Sequence, residues 1–161
     1  MSDIVLLDTS VYLNVLNLPG RNQDRAAVLD LFTDRVQNGD HFLLPMATIW
    51  EAGNQVSRLP DGAQRYRFAV KLVADVHNAI NGEAPYRTTY FPDSTVFSTW
   101  LNEFPDYAKR NKAPDKTTEG ISLSDLAIIQ EWERTRARHS LSRVLIWSLD
   151  RDLAGYDTGA R

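Results

Sequence analysis

The sequence predicts an α/β fold, from short apolar runs that do not alternate with polar residues, from amphipathic stretches between those runs, and from turn residues at the boundaries. Ile4–Leu7, residues 42–44 and residues 144–149 are strand-length segments dominated by apolar side chains, with Ser148 the polar exception, the pattern of strands covered on both faces. Strands separated by helices form parallel sheets with helices packed on either side. The expected architecture is a three-layer sandwich with a central parallel sheet flanked by helices, in a single domain over residues 1–161.

The elements follow in order. After the first strand, residues 10–17 read as a brief helix ended by Pro19-Gly20. Residues 22–37 carry a helical stripe of Ala27, Val28, Leu31, Phe32 and Val36, stopped by Asn38-Gly39-Asp40. The second strand, 42–44, meets Pro45, which turns the chain into a helix with Ile49, Ala52, Val56 and Leu59 inward; Pro60-Asp61-Gly62 breaks it. The next helix offers Ala69, Leu72, Val73, Val76 and Ile80 as its buried stripe. Residues 88–91 are β-branched and aromatic, a third strand. Asp93 or Ser94 then caps a helix carrying Val96, Phe97, Trp100, Leu101 and Phe104. Residues 105–120 read as a polar, irregular stretch, Ser122 opens a helix through about Arg138, and 144–149 is the last central strand.

Composition narrows the chemistry. With 161 residues, 43% apolar and 24% charged, the chain has the makeup of a folded soluble domain, and no apolar run approaches membrane-spanning length. The N-terminus has no secretory pattern, so a cytoplasmic address and no membrane association are expected. The absence of cysteine excludes disulfides, thiolate nucleophiles and thiolate metal sites. His41, His77 and His139 lack metal-binding spacing. The net charge of -3 opposes binding to nucleic acid unless some of the acids hold cations.

Carboxylates are the remaining reactive groups, and four stand where an apolar run gives way to a helix or within a helix's first turns: Asp8, Glu51, Asp125 and Asp150. In a parallel sheet such positions share the edge at which open α/β folds bind ligands. Capping explains each acid separately: Asp8 ahead of the helix at Ser10, Thr48-x-x-Glu51 and Ser122-x-x-Asp125 as capping boxes, Asp150 ahead of Arg151. Asp125 fits that reading least, because Ile128, Ile129 and Trp132 at +3, +4 and +7 put it on an inward stripe, where an unpaired carboxylate is costly. Periodicity leaves Glu51 open, since Asn54, Gln55 and Arg58 extend its face with polar residues. Clustered carboxylates need shared cations or protons, and hard oxygen ligands favour Mg²⁺ or Mn²⁺ and phosphate chemistry.

These residues resemble the PIN-domain ribonucleases, including the VapC-type toxins of VapBC toxin-antitoxin pairs. Leu6-Leu7-Asp8-Thr9-Ser10 is similar to that family's opening strand and acid, Glu51 sits where its glutamate falls, 123–129 is similar to its aspartate-led helix, and Ser148-x-Asp150 to its hydroxyl-x-aspartate ending. The resemblance implies a Mg²⁺- or Mn²⁺-dependent endoribonuclease acting on an RNA substrate, with Asp8, Glu51, Asp125 and Asp150 as catalytic metal ligands and Asp152 as an extra ligand. It also implies a small antitoxin partner and a homodimer. The alternative is a catalytically silent PIN-like module that binds RNA or protein and keeps the acids as caps. Two departures stand out: residues 81–120 are longer than a compact member needs, and only 11 residues follow Asp150, so the usual last strand is expected to be short or missing.

Other features have two readings. Lys109, Arg110, Lys112 and Lys116 in the polar stretch, and Arg134, Arg136, Arg138 and Arg143, are candidate phosphate contacts or merely solvated and dipole-complementing charges. Tyr12, Trp50, Tyr107 and Trp132 are stacking candidates or core. Thr9, Ser10 and Ser148 are ligand-orienting hydroxyls or caps.

Overall fold

The computed structural model describes residues 2–153 and 155–159. In chain order the elements are β1 (Ile4–Leu7), α1 (Thr9–Val15), α2 (Arg25–Gln37), β2 (His41–Leu44), α3 (Met46–Ser57), α4 (Gly62–Asn81), β3 (Tyr86–Thr88), α5 (Ser94–Ala108), β4 (Asn111–Ala113), β5 (Lys116–Gly120), α6 (Leu123–Arg138), β6 (Val144–Trp147) and a 3₁₀ turn at Arg151–Leu153. The central sheet runs β3-β2-β1-β6, and every pairing in it is parallel. β1 therefore lies between the strand that follows it and the last strand of the chain. The connection reverses direction between β1 and β6, and this is the switch point at which ligand crevices open beyond the strand ends.

The uninterrupted apolar runs have a direct cause. Val5 and Leu7 face one core with Tyr12, Leu16, Val28, Ala52, Val56 and Leu72, while Ile4 and Leu6 face the other with Ile128, Ile129, Trp132 and Ile146. Both faces of β1 and β6 are buried, so neither strand has a solvent side to carry polar residues. Phe32 stacks on Phe42 at 4.5 Å between ring centroids and extends the first core towards Trp147. The last carbonyls of α1 are taken by side chains, Arg25 Nη1 donating to Asn14 O and Val15 O and Lys71 Nζ to Leu16 O. Orphan acceptors are thus satisfied where the short helix stops. α4 ends instead on Gly82, whose φ of 75° is the left-handed turn that glycine tolerates.

Several expected details shift. The third strand is Tyr86–Thr88 rather than 88–91. In α4 the buried residues are Phe68, Leu72 and Ala79, whereas Val73 and Ile80 are exposed; both flanks of this helix are apolar, and tertiary packing chooses the stripe. Leu31 and Val36 of α2 are likewise exposed. Residues 105–120 are not irregular: α5 continues through Pro105, and β4 and β5 then pair as an antiparallel hairpin. After β6 a remnant of a further strand persists, with Leu145 bridging Asp157 and Tyr156 O accepting from Ile146 N at 3.0 Å. Among the described residues no helix is long and apolar enough to cross a membrane.

Candidate active site

Asp8 leaves the end of β1 with an extended backbone, and its side chain does not cap the helix that follows. Its carboxylate turns sideways: Ser10 Oγ and Ser148 Oγ both donate to Oδ2, at 3.0 and 2.6 Å. Each hydroxyl also accepts an amide from the loop after β6, Leu149 N onto Ser10 and Asp150 N onto Ser148, both at 3.0 Å. Two serines thereby tie the ends of neighbouring strands together and fix Asp150 relative to Asp8.

Glu51 and Asp125 arrive from helices. Thr48, expected to begin a capping box, is buried and donates to Leu7 O at 2.7 Å, and Pro45 occupies the start of α3. With no capping partner, Glu51 accepts instead from Ser124 Oγ at 2.6 Å, which joins α3 to the first turn of α6. Ser122 does cap α6, accepting from Asp125 N at 3.1 Å, so this half of the capping reading holds. The helix places Ile128, Ile129 and Trp132 in the core, and the Asp125 side chain stays mostly enclosed.

Asp8, Glu51, Asp125 and Asp150 line one cavity of about 300 Å³, together with Thr9, Ser10 and Gln55. Burial pushes the Asp8 carboxyl up from its ordinary value against the Ser148, Thr9 and Ser10 bonds, and the charge of Asp150 adds to the rise. Burial likewise raises Asp125; Lys112 opposes that shift, and Asp8 and Asp150 reinforce it. The negative charges of Asp8, Asp125 and Asp150 thus repel one another across the cavity, an arrangement that favours a shared cation or a proton.

Asp152 is not on the cavity wall. Its carboxylate is enclosed and pairs with Lys116 at 3.1 Å and Lys112 at 3.9 Å. Among the described residues no three carboxylate or histidine side chains form an ion-binding cluster by themselves. The donor set nonetheless suits a hard cation, since the ligating atoms on offer are carboxylate and hydroxyl oxygens, and the ammonium of Lys112 already stands 3.8 Å from Asp125 Oδ2.

The remaining candidates separate clearly. Arg134, Arg136 and Arg143 are engaged with Glu131, with Glu133, and with Asp3 and Asp157, and Arg138 lies over the Tyr90 ring. Tyr12 and Trp132 are core, whereas Trp50 is 68% exposed. Sequence reasoning missed Arg21 and Gln55, which line the cavity. Gln55 lies one helical turn from Glu51, a usable signal; Arg21 comes from a loop and has no such period.

The sheet order and the acidic switch-point cavity define a PIN-like fold. The chain is similar, at 19% identity and a TM-score of 0.52, to one in the crystal structure of FitAcB from Neisseria gonorrhoeae, over 94% of this chain and 91% of that one; at that identity the likeness shows the fold. A chain in the structure of FitAB bound to an IR36 DNA fragment matches at 20% identity and a TM-score of 0.49, over 91% of this chain and 98% of that one. No protein-family model and no curated protein matches the sequence.

Proposed function

We propose that this protein is a Mg²⁺- or Mn²⁺-dependent endoribonuclease of the PIN-domain type, the toxin of a toxin-antitoxin pair. The observation that carries this reading is the convergence of Asp8, Glu51, Asp125 and Asp150 on one cavity at the sheet's switch point. Those four carboxylates are the residues that would hold the metal, directly or through water. A bound divalent ion there would supply Lewis-acid activation of water and charge stabilisation at the scissile phosphate. The chain's own contribution is orientation: Ser10 and Ser148 fix Asp8, Ser124 fixes Glu51, and the Ser122 cap fixes the helix start that presents Asp125. By resemblance to the family, cleavage leaves a 5′-phosphate and a 3′-hydroxyl. The sequence resemblance to VapC-type toxins is the ground for a small antitoxin as partner and for a homodimeric assembly, and the likeness in fold to a chain of FitAcB agrees with a domain of that architecture.

A silent RNA- or protein-binding module is the second reading, favoured by one observation: the acids do not close into an ion-binding cluster among the described residues. Cleavage of a panel of single-stranded RNAs, with Mn²⁺ or with EDTA, by the wild type and Asp8→Asn separates the two. The nuclease reading requires metal-dependent cleavage that the variant loses. Cleavage that is metal-independent or unchanged in the variant overturns it, and RNA binding without cleavage assigns the silent module.

A further inference from the structure

The acidic cavity carries cations of its own. Lys112, on β4, has its ammonium 3.8 Å from Asp125, 3.9 Å from Asp152 and 4.0 Å from Glu119. All three separations exceed the length of a charge-assisted hydrogen bond, about 2.7–2.9 Å. Among the described residues Lys112 Nζ makes no hydrogen bond, whereas its hairpin neighbour Lys116 donates to Asp152 at 3.1 Å. An ammonium has three donors, and here they are directed by surrounding negative charge yet bonded to none of it. Arg21 lines the same cavity from the α1–α2 loop, its backbone N held by Leu18 O at 3.0 Å. Its guanidinium has no hydrogen-bond or ion-pair partner among the described residues. Elsewhere in the chain, cations beside carboxylates are engaged, as Arg35 is with Asp40 and Arg143 with Asp157.

We infer that Arg21 and Lys112 form a phosphate clamp that holds the backbone of a single-stranded RNA across the acidic cavity. The inference rests on the nuclease or RNA-binding reading above and names the groups that position its substrate. Four acids with one cation from a loop and one from the β4-β5 hairpin suit a polyanion whose central phosphate needs a metal and whose other phosphates need donors. Arg offers a planar fork to phosphate oxygens and Lys a point charge with rotatable donors. The hairpin supplies Lys112 from outside the sheet, and Lys116 anchors that hairpin through Asp152.

Anisotropy of a fluorescently labelled single-stranded RNA, titrated with the full-length protein over a range of KCl in Ca²⁺ and in EDTA, tests the clamp. Each phosphate contact removed lowers the slope of log K against log salt by about 0.7. Arg21→Ala and Lys112→Ala are each expected to show that loss, Lys112→Arg to keep the wild-type slope, and Arg67→Ala, a charge removed from α4 away from the cavity, to change nothing. In cleavage with Mn²⁺, Arg21→Ala should raise KM with kcat little changed. Wild-type slopes in both clamp variants overturn the inference while leaving the nuclease reading intact, provided the wild type cleaves the RNA. A wild type that neither binds nor cleaves RNA overturns both. Binding of an acidic peptide that depends on Arg21 and Lys112, without RNA binding, assigns the clamp to a protein partner and overturns it as stated.

Discussion

Ser148 Oγ donates to Asp8 Oδ2 at 2.6 Å while it accepts the Asp150 amide at 3.0 Å, so one hydroxyl sets both the carboxylate at the end of β1 and the loop that carries the next. Ser148→Ala removes both bonds and leaves the Asp150 amide to water. Groups that orient metal-binding carboxylates typically affect metal affinity or activity by about 10–100-fold. We expect a loss of that size in Mn²⁺-dependent cleavage, with a stability cost of only about 1 kcal/mol, read by urea unfolding. Full activity in Ser148→Ala would remove the orienting role.

Asp8→Asn should separate activity from stability. The amide oxygen still accepts from Ser10 and Ser148, and the buried charge is gone. Because burial raises the Asp8 carboxyl, its contribution to stability is complete below the ordinary carboxylate range and is lost as pH rises through the folded-state value. At neutral pH the variant should therefore melt at the same temperature as the metal-free wild type or higher, while cleavage falls on the order of 100-fold or more. Added Mn²⁺ should raise the melting temperature of the wild type and not that of the variant. A variant that melts well below the metal-free wild type contradicts the argument.

Gly120 tests the hairpin. A Cβ built there would lie 2.0 Å from Ala108 O, a backbone atom at the end of α5 that cannot swing aside. Gly120→Ala must move β5 off α5 and shift Lys112 and Lys116 with it. The expected cost is about 1–3 kcal/mol, or roughly 2–4 °C in melting temperature per kcal/mol for a chain of this size. Urea unfolding measures the first, and a weakened RNA salt slope reports the displaced lysine. Unchanged stability would show that the hairpin docks elsewhere.

How far the fold could be read from the sequence follows from burial. β1 and β6 were legible because both their faces are covered, which writes an apolar run directly into the chain. The α4 stripe was not, because Val70, Val73 and Ile80 make its outer flank as apolar as its inner one. β4 and β5 escaped because residues 111–120 are mostly charged or small, and their pairing depends on a tertiary contact at Gly120 that no local period encodes. In the site, Asp125 announced itself through the stripe at +3, +4 and +7. Glu51 needed the fold, since its partner Ser124 lies 73 residues away. Arg21 and Lys112 reach the cavity from a loop and a hairpin, whose placement only the packed structure supplies.

Glu131 offers a pH test away from the cavity. Its side chain is 4% exposed on α6, and its carboxyl is pushed up to about 7 from 4.5 by burial, which the charges of Arg134, 3.6 Å away, and of Arg138 oppose without cancelling. The folded state therefore holds a proton that the unfolded chain releases. Stability from this group is complete below 4.5 and lost as pH rises through about 7. The loss is on the order of a few kcal/mol, taking about 1.4 kcal/mol for each unit between the folded and unfolded values. Glu131→Gln keeps the shape and cannot ionise, so it should match the wild type near pH 4.5, exceed it progressively towards pH 7 and hold a constant advantage above. The difference between the two unfolding free energies, measured by urea at each pH, cancels the titration of every other group. A difference that stays flat across this range would mean that Arg134 and Arg138 compensate the buried charge fully.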